Sequence, residues 1–462
     1  MSISAAANGG ATETGTQHAR LSQTLLPRHV SMIAIGGIIG AGLFVGSSTT
    51  IAAAGPAAVL SYFFAGLLIL LVMRMIAELA VSLDGVQSFP DFARAGLGHL
   101  AGFLSGWLYW YFWVVVVAVE AIAGAKIIAG WLPGAPEWAV GMTLMTLMLG
   151  VNLLSTRSFG EFEFWFSSIK VAAIIVFILL GAAWVAGLSA PQGASIANLT
   201  VHGGFAPHGW GVVLAAVAST IFSMCGAEIA TIAAAESPDP AKVISRMTMS
   251  VALRIVTFYV LSILLIVTIV PWQSVVPGHS PFATTLAAMA VPGGEKIMSA
   301  VVLVAVLSCL NSGMYVTSRA LFGLAQYGDA PRWLIHVNAR KVPARAIIAA
   351  SLFAYGALAA NWLSPGTVFS FLVNSSGVTM ILLYLMVAAA QLRLRARFER
   401  EAPERLTLKM WFHPFGTLMA IAAMLAVLLF MALQPELASQ FWLSLLVAAG
   451  FAVGFAVRIK RA

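Results

Sequence analysis

Apolar residues in this chain do not alternate with polar ones at a helical or strand period. They come in blocks of about twenty, separated by short polar stretches. A run of about 20 apolar residues is what one helical crossing of a bilayer needs. Twelve such blocks predict twelve membrane helices, at 32–54, 57–79, 101–131, 137–155, 164–187, 210–235, 250–270, 296–323, 345–363, 367–391, 411–433 and 440–457. The expected fold class is therefore an all-α membrane protein with 12 transmembrane helices.

Composition supports this reading. Of 462 residues, 60% are hydrophobic and 9% are charged, against about a quarter charged in soluble domains. The net charge of +8 is explained by where the basic residues fall. Lys and Arg occupy alternate loops: Arg20 and Arg28, Arg94, Arg157, Lys242 and Arg246, Arg332 to Arg345, Arg393 to Lys409, and Arg458 to Arg461. The loops between hold little beyond Glu137, Glu295, Lys296 and Glu436. This alternation predicts that both termini are cytoplasmic. It assigns the charge to membrane topology and gives no reason to expect nucleic acid. Residues 1–27 read as a mobile cytoplasmic tail without the pattern of a signal peptide. Residues 28–392 read as a ten-helix core, and residues 393–462 as a cytoplasmic loop followed by spans eleven and twelve.

Candidate chemistry comes from residues that break the apolar pattern. The first block contains Gly36, Gly37, Gly40, Gly42 and Gly46. Each glycine costs a helix roughly 1 kcal/mol relative to alanine. Their spacing of four allows close helix packing. It equally allows a broken helix whose exposed backbone holds a solute at mid-membrane depth. The sixth block carries Ser223, Cys225, Gly226 and Glu228 within six residues, a second candidate break. Spans one and six correspond if the first ten spans are two units of five. An odd number per unit makes the repeat inverted, and breaks at matching positions then point to a transport site. The expectation is a 5+5 inverted repeat with discontinuous helices 1 and 6.

Ionisable residues within a membrane are expensive and mark function by default. Glu120, Lys170 and Glu228 lie inside spans three, five and six with no obvious local partner. Arg74 and Glu78, four apart, read as an intrahelical pair. Arg254 and Arg319, near span ends, read as snorkelling side chains. Spans eight and ten add the polar runs Ser308 to Gly313 and Asn374 to Gly377. All eight histidines fall in tails, loops or span ends, so neither a histidine relay nor a nucleophile–base set is expected at depth. The two cysteines, Cys225 and Cys309, lie within apolar blocks, which excludes a disulfide framework and leaves no metal site. No glycine loop followed by lysine offers an ATP site. The pattern thus points away from an enzyme and toward a carrier, with a channel or solute receptor as remoter readings.

The stretch from Arg28 through Gly36-Gly37-Ile38-Ile39-Gly40-Ala41-Gly42-Leu43-Phe44-Val45-Gly46 to Gly55-Pro56 resembles the start of bacterial amino acid permeases of the amino acid–polyamine–organocation superfamily. Met73 to Leu79, Thr231 to Lys242 and Ser308 to Arg319 are similar to other segments of that family. Gly106 to Trp113, Gly160 to Trp165 and Gly226 to Ser237 resemble its γ-aminobutyrate permeases in particular. Relatives that carry neutral, aromatic or D-amino acids share most of the frame.

The resemblance implies secondary active uptake of an amino acid with a proton across the bacterial inner membrane, by alternating access and with no cofactor. It implies substrate contacts at Ile38, Ile39, Gly40, Ala41 and Gly42, and at Phe222, Ser223, Met224 and Gly226. Glu120, Glu228 and Asn311 complete the expected binding set. Lys170 matches a fifth-span lysine thought, in proton-coupled relatives, to occupy the place of a sodium ion, which makes it the expected proton carrier. One departure is the Ile38-Ile39 pair, where relatives often carry a small or polar residue. The expected partners are a small amino acid and the lipid bilayer; oligomeric state is not legible.

Overall fold

The computed structural model describes residues 39–83, 88–154, 156–188, 196–226, 228, 253–338, 342–364 and 367–459. Ile38, the tail and the Thr231 to Lys242 loop lie outside the described residues. Every regular element among the described residues is helical.

Helices are numbered here in chain order. The first described helix opens on a π-wound turn, Gly42–Gly46, and continues as α1, Ser47–Ala54. It ends where Gly55 takes φ +63. A Cβ there would lie 2.6 Å from the Pro207 ring, so the turn needs glycine for both conformation and space. The others are α2 (Ala58–Ser82), α3 (Phe89–Leu97), α4 (His99–Trp131), α5 (Glu137–Leu154), α6 (Thr156–Val185) and α7 (Trp210–Met224). They continue as α8 (Leu261–Ile269, preceded by a π-wound turn Ile255–Val260), α9 (Pro281–Ala288), α10 (Gly294–Gln326) and α11 (Ala344–Leu363). The last three are α12 (Thr367–Glu401), α13 (Phe415–Leu433) and α14 (Pro435–Ile459).

Among the described residues, nine helical stretches are long and apolar enough to cross a membrane. One of these is the run Gly42–Ser82, and the shorter apolar stretches Trp210–Met224 and Ile255–Ile269 are additional. The sixth predicted block is broken after Met224, and its end at 235 lies outside the described residues. Its helix stops at Met224, with Cys225 extended at ψ 149 and Gly226 at φ +109. Helices α3 and α9 were not expected, because each is too short to register as an apolar block.

Apolar blocks do not reveal which helices are central. In α4 and α12, 78% of the most apolar window is buried within the protein, against 11% in α14. The first two form the core, and α14 turns Leu446 and Val453 outward as a lipid-facing surface does. Small residues set the core spacing. A Cβ on Gly313 of α10 would lie 2.8 Å from Val117 of α4, and one on Gly106 of α4 would lie 2.5 Å from Leu324 of α10. Gly377 of α12 packs against the Ala218 backbone of α7, so the tenth-span polar run serves packing. Ser375 and Ser376 there bond back to Leu372 and Val373 carbonyls of their own helix.

The basic run after residue 391 is helix rather than loop. Helix α12 runs to Glu401, with Arg395–Glu399 and Arg397–Glu401 pairs at 2.7 Å. The segment beyond it docks on the C-terminal end of α2 and corrects the Arg74–Glu78 expectation. Glu78 is buried and accepts from Arg395 and Gln391, each at 2.8 Å, and from the Met410 N–H. Arg74 instead donates to the Lys409 carbonyl at 2.8 Å and lies over the Trp411 ring. Arg319 does not extend away but folds onto the ring of Tyr315, 3.5 Å from its centroid.

Candidate functional site

Two helix ends meet inside the protein. Ile39 and Gly40 are not helical; the chain enters its π-wound turn through Ala41. Helix α7 ends nearby at Met224. The contact is backbone to backbone: a Cβ on Gly42 would lie 2.6 Å from Ser223 Cα. Ser223 Oγ donates to the Gly42 carbonyl at 2.8 Å. The Ser223 carbonyl accepts from Tyr259 at 2.9 Å, and the Tyr62 hydroxyl lies 3.5 Å from Ser223 Oγ. A helix start carries partial positive charge and a helix end partial negative charge. Their meeting suits a small molecule with one charge of each sign.

The helix start already holds an anion-like group. Glu120 of α4 is buried, and its two oxygens accept the Ala41 N–H at 3.0 and 3.1 Å. Glycine at position 40 is required for this approach, since a Cβ would sit 2.7 Å from Glu120 Oε1 and 2.8 Å from Cys309 Sγ. Glu120 was expected to add negative charge near an ammonium; its carboxylate instead occupies the N–H expected to receive a substrate carboxylate. Around it lies a cavity lined by Gly40, Gly42, Trp113, Val116, Glu120, Phe222, Ser223, Cys225 and Cys309. At its centre there is room for about one water molecule, so an amino acid enters only if these side chains rearrange.

Behind this cavity sits Lys170 of α6, fully buried. Its ammonium donates to the Ile39 carbonyl and to Ser308 Oγ, both at 2.8 Å. Its carboxylate neighbour was missed. Glu163, also fully buried, has Oε1 3.8 Å from Lys170 Nζ. The same oxygen accepts from Ser308 at 2.6 Å and from Ser167 at 3.0 Å. Glu163 lies seven residues before Lys170, two turns along one helix face. That spacing was the available signal, but the predicted span began at 164 and excluded it.

The remaining predicted residues separate. Ile39, Gly40, Ala41, Gly42, Glu120, Phe222 and Ser223 come together, with Ile39 presenting its carbonyl to Lys170. Met224 is buried but does not line the cavity. Gly226 supplies the positive-φ turn, and its N–H donates to Glu228 Oε2 at 3.0 Å. Glu228 therefore braces the turn after α7 from within the protein. Asn311 turns away toward α5, accepting from Asn152 at 2.9 Å. Trp113 and Val116 were not predicted as lining, because their apolar side chains look like core in the sequence; Cys225 lies in the predicted sixth-span break and Cys309 in the eighth-span polar run. No cluster of metal-ligating residues occurs among the described residues.

Residues 29–462 match the amino acid permease family. The chain is 44% identical to the gamma-aminobutyric acid permease of Bacillus subtilis (strain 168), over 96% of this chain and 94% of that protein. It is 43% identical to the gamma-aminobutyric acid permease of Escherichia coli (strain K12), over 91% and 90%. The aromatic amino acid transport protein AroP of Salmonella typhimurium (strain SL1344) is 36% identical, over 92% and 93%.

Proposed function

This chain belongs to the amino acid permease family, and we propose that it carries γ-aminobutyrate into the bacterial cell together with a proton. The observation that carries the reading is the meeting of the Gly42 helix start with the α7 end at Ser223, beside the buried carboxylate of Glu120. The two relatives with gamma-aminobutyric acid in their names supply the substrate. The frame is twelve spans with both termini cytoplasmic, the first ten forming a 5+5 inverted repeat. Residues 1–27 are a cytoplasmic tail, 28–392 the transport core, and 393–462 the end of α12, the connecting segment and the last two spans.

Loading follows from electrostatics. The substrate carboxylate takes the N–H of Ala41 and its neighbours at the positive helix start. Glu120 leaves that position and turns to the substrate ammonium, which faces the negative end of α7 around Phe222 to Met224. In γ-aminobutyrate the two charges lie further apart than in an α-amino acid, so a movable carboxylate is needed to reach the second one. Protonated Lys170 ties the Ile39 carbonyl to Ser308. Loss of its charge weakens both bonds and frees the break to move, so that proton and substrate movements are linked. No cofactor enters this scheme.

Uptake of labelled γ-aminobutyrate into proteoliposomes, with an imposed pH gradient and unlabelled competitors, tests it. Gradient-driven accumulation, displaced by γ-aminobutyrate more strongly than by α-amino acids, is the expected result. Stronger displacement by phenylalanine or tryptophan would replace it with the second reading, an aromatic permease, which the similarity to AroP favours. Uptake without saturation or counterflow would indicate a channel.

A further inference from the structure

Glu163 has no part in the scheme above, yet it is joined to Lys170 by a continuous hydrogen-bonded path. Lys170 Nζ donates to Ser308 Oγ at 2.8 Å, and Ser308 Oγ donates to Glu163 Oε1 at 2.6 Å. Glu163 Oε2 makes no hydrogen bond among the described residues. All three side chains are fully buried, so bulk water does not supply an alternative acceptor at Lys170. The other titratable groups facing Lys170 are Glu120 from α4 and Cys309 from α10. Glu120 directs both oxygens to the Ala41 N–H and shares no hydroxyl with the lysine. Glu163 lies on the same helix as Lys170, two turns nearer the Thr156 end. The charge pattern puts that end at the cytoplasmic side.

We propose that Glu163 is the proton-relay residue that receives the Lys170 proton through Ser308 and passes it toward the cytoplasm. This rests on the proton-coupled reading above. In the transfer, one N–H bond of the Lys170 ammonium breaks as an O–H bond forms at Ser308 Oγ. The hydroxyl proton originally on Ser308 moves to Glu163 Oε1. An ammonium–carboxylate pair becomes an amine and a carboxylic acid, with no net change in charge and no further reactant. Two buried charges are thereby removed together, which avoids leaving either ion alone in a low-dielectric interior. The resulting neutral amine holds the Ile39 carbonyl less firmly, linking proton release to movement of the break.

The test compares Glu163→Gln, Glu163→Asp and Ser308→Ala with wild type, in full-length protein in proteoliposomes. Two readouts are taken: γ-aminobutyrate accumulation driven by a pH gradient, and γ-aminobutyrate counterflow without one. A trapped pH dye reports protons carried per substrate. Glu163→Gln keeps the side-chain shape but is a poor proton acceptor. It and Ser308→Ala should lower gradient-driven accumulation at least about tenfold. Their counterflow should fall much less, and Glu163→Asp should recover part of the coupling. Wild-type accumulation in Glu163→Gln and Ser308→Ala overturns the relay. Equal loss of counterflow and accumulation in Glu163→Gln also overturns it, in favour of a packing role. If wild type itself shows no gradient-driven uptake, the proton-coupled reading fails before the relay is reached.

Discussion

Both carboxylate oxygens of Glu120 lie within hydrogen-bonding distance of the Ala41 N–H, at 3.0 and 3.1 Å. The arrangement depends on the neighbouring residue having no side chain. In Gly40→Ala the new Cβ falls 2.7 Å from Glu120 Oε1 and 2.9 Å from Cys309 Cβ. Overpacking of this kind costs about 1–3 kcal/mol, and Glu120 is the group able to swing aside. We expect Gly40→Ala to reach the membrane at normal levels and to lose roughly tenfold or more in uptake, the rate equivalent of that cost. Adding Cys309→Gly removes both the Sγ and the Cβ from that side and should restore part of the activity. Unchanged uptake in Gly40→Ala would show that Glu120 need not stay near the helix start.

Gly42→Ala should behave differently, because its neighbour is backbone. The added Cβ meets Ser223 Cα at 2.6 Å, and no rotamer relieves that. The α1 and α7 ends must separate, so thermal stability in detergent falls and transport ceases. Ser223→Ala leaves the Cα in place and removes the bond to the Gly42 carbonyl with the longer contact to the Tyr62 hydroxyl, at a cost of about 1 kcal/mol. The ordering of melting temperatures, wild type above Ser223→Ala above Gly42→Ala, is the measurement.

Lys170→Ala is expected to end pH-gradient-driven accumulation. It also leaves Glu163 buried without its cation. Removing one member of a buried pair destabilises by about 3–5 kcal/mol, so the melting temperature should drop. Adding Glu163→Gln should return much of the stability without returning accumulation. A double variant with full accumulation would remove both residues from the coupling mechanism.

Arg395→Ala probes the contact between α12 and the C-terminal end of α2. Glu78 is nearly fully buried, pairing with Arg395 at 2.8 Å. Truncating the arginine strands that carboxylate, with an expected loss of about 3–5 kcal/mol. Glu78→Gln in the same protein should relieve part of it: the stranded charge is gone, and the remaining carbonyl oxygen can accept from one of the two other donors, Gln391 or the Met410 N–H, which reach different oxygens of Glu78. Comparison of unfolding midpoints across the three variants decides the point; additive losses would mean the two side chains act independently.

Several of these residues were visible in the sequence and several were not, and the division is physical. Glycines at 40 and 42, the Ser223 to Gly226 interruption and the lysine at 170 stand out because a membrane helix tolerates so few breaks and charges. Partners across helices were not legible. Glu78 sits four residues from Arg74 yet pairs with Arg395, 317 positions away. Asn311 sits in a polar run yet turns to Asn152. Glu163 fell just outside a predicted span, although it shares a helix face with Lys170.

By itself, then, the sequence determined that this chain lives in a membrane, where most of its long apolar helices lie, and at which two points their backbone is interrupted. Those properties follow from the local cost of polar groups in hydrocarbon, which each segment meets alone. The tertiary structure decided that the interruptions face each other, that Glu120 occupies the helix start at Ala41, and that Lys170 is linked through Ser308 to Glu163. Those depend on how α1, α4, α6, α7 and α10 are rotated about their axes and how closely they approach. Glycine and alanine contacts distributed over the whole bundle set that rotation, and no single segment contains them.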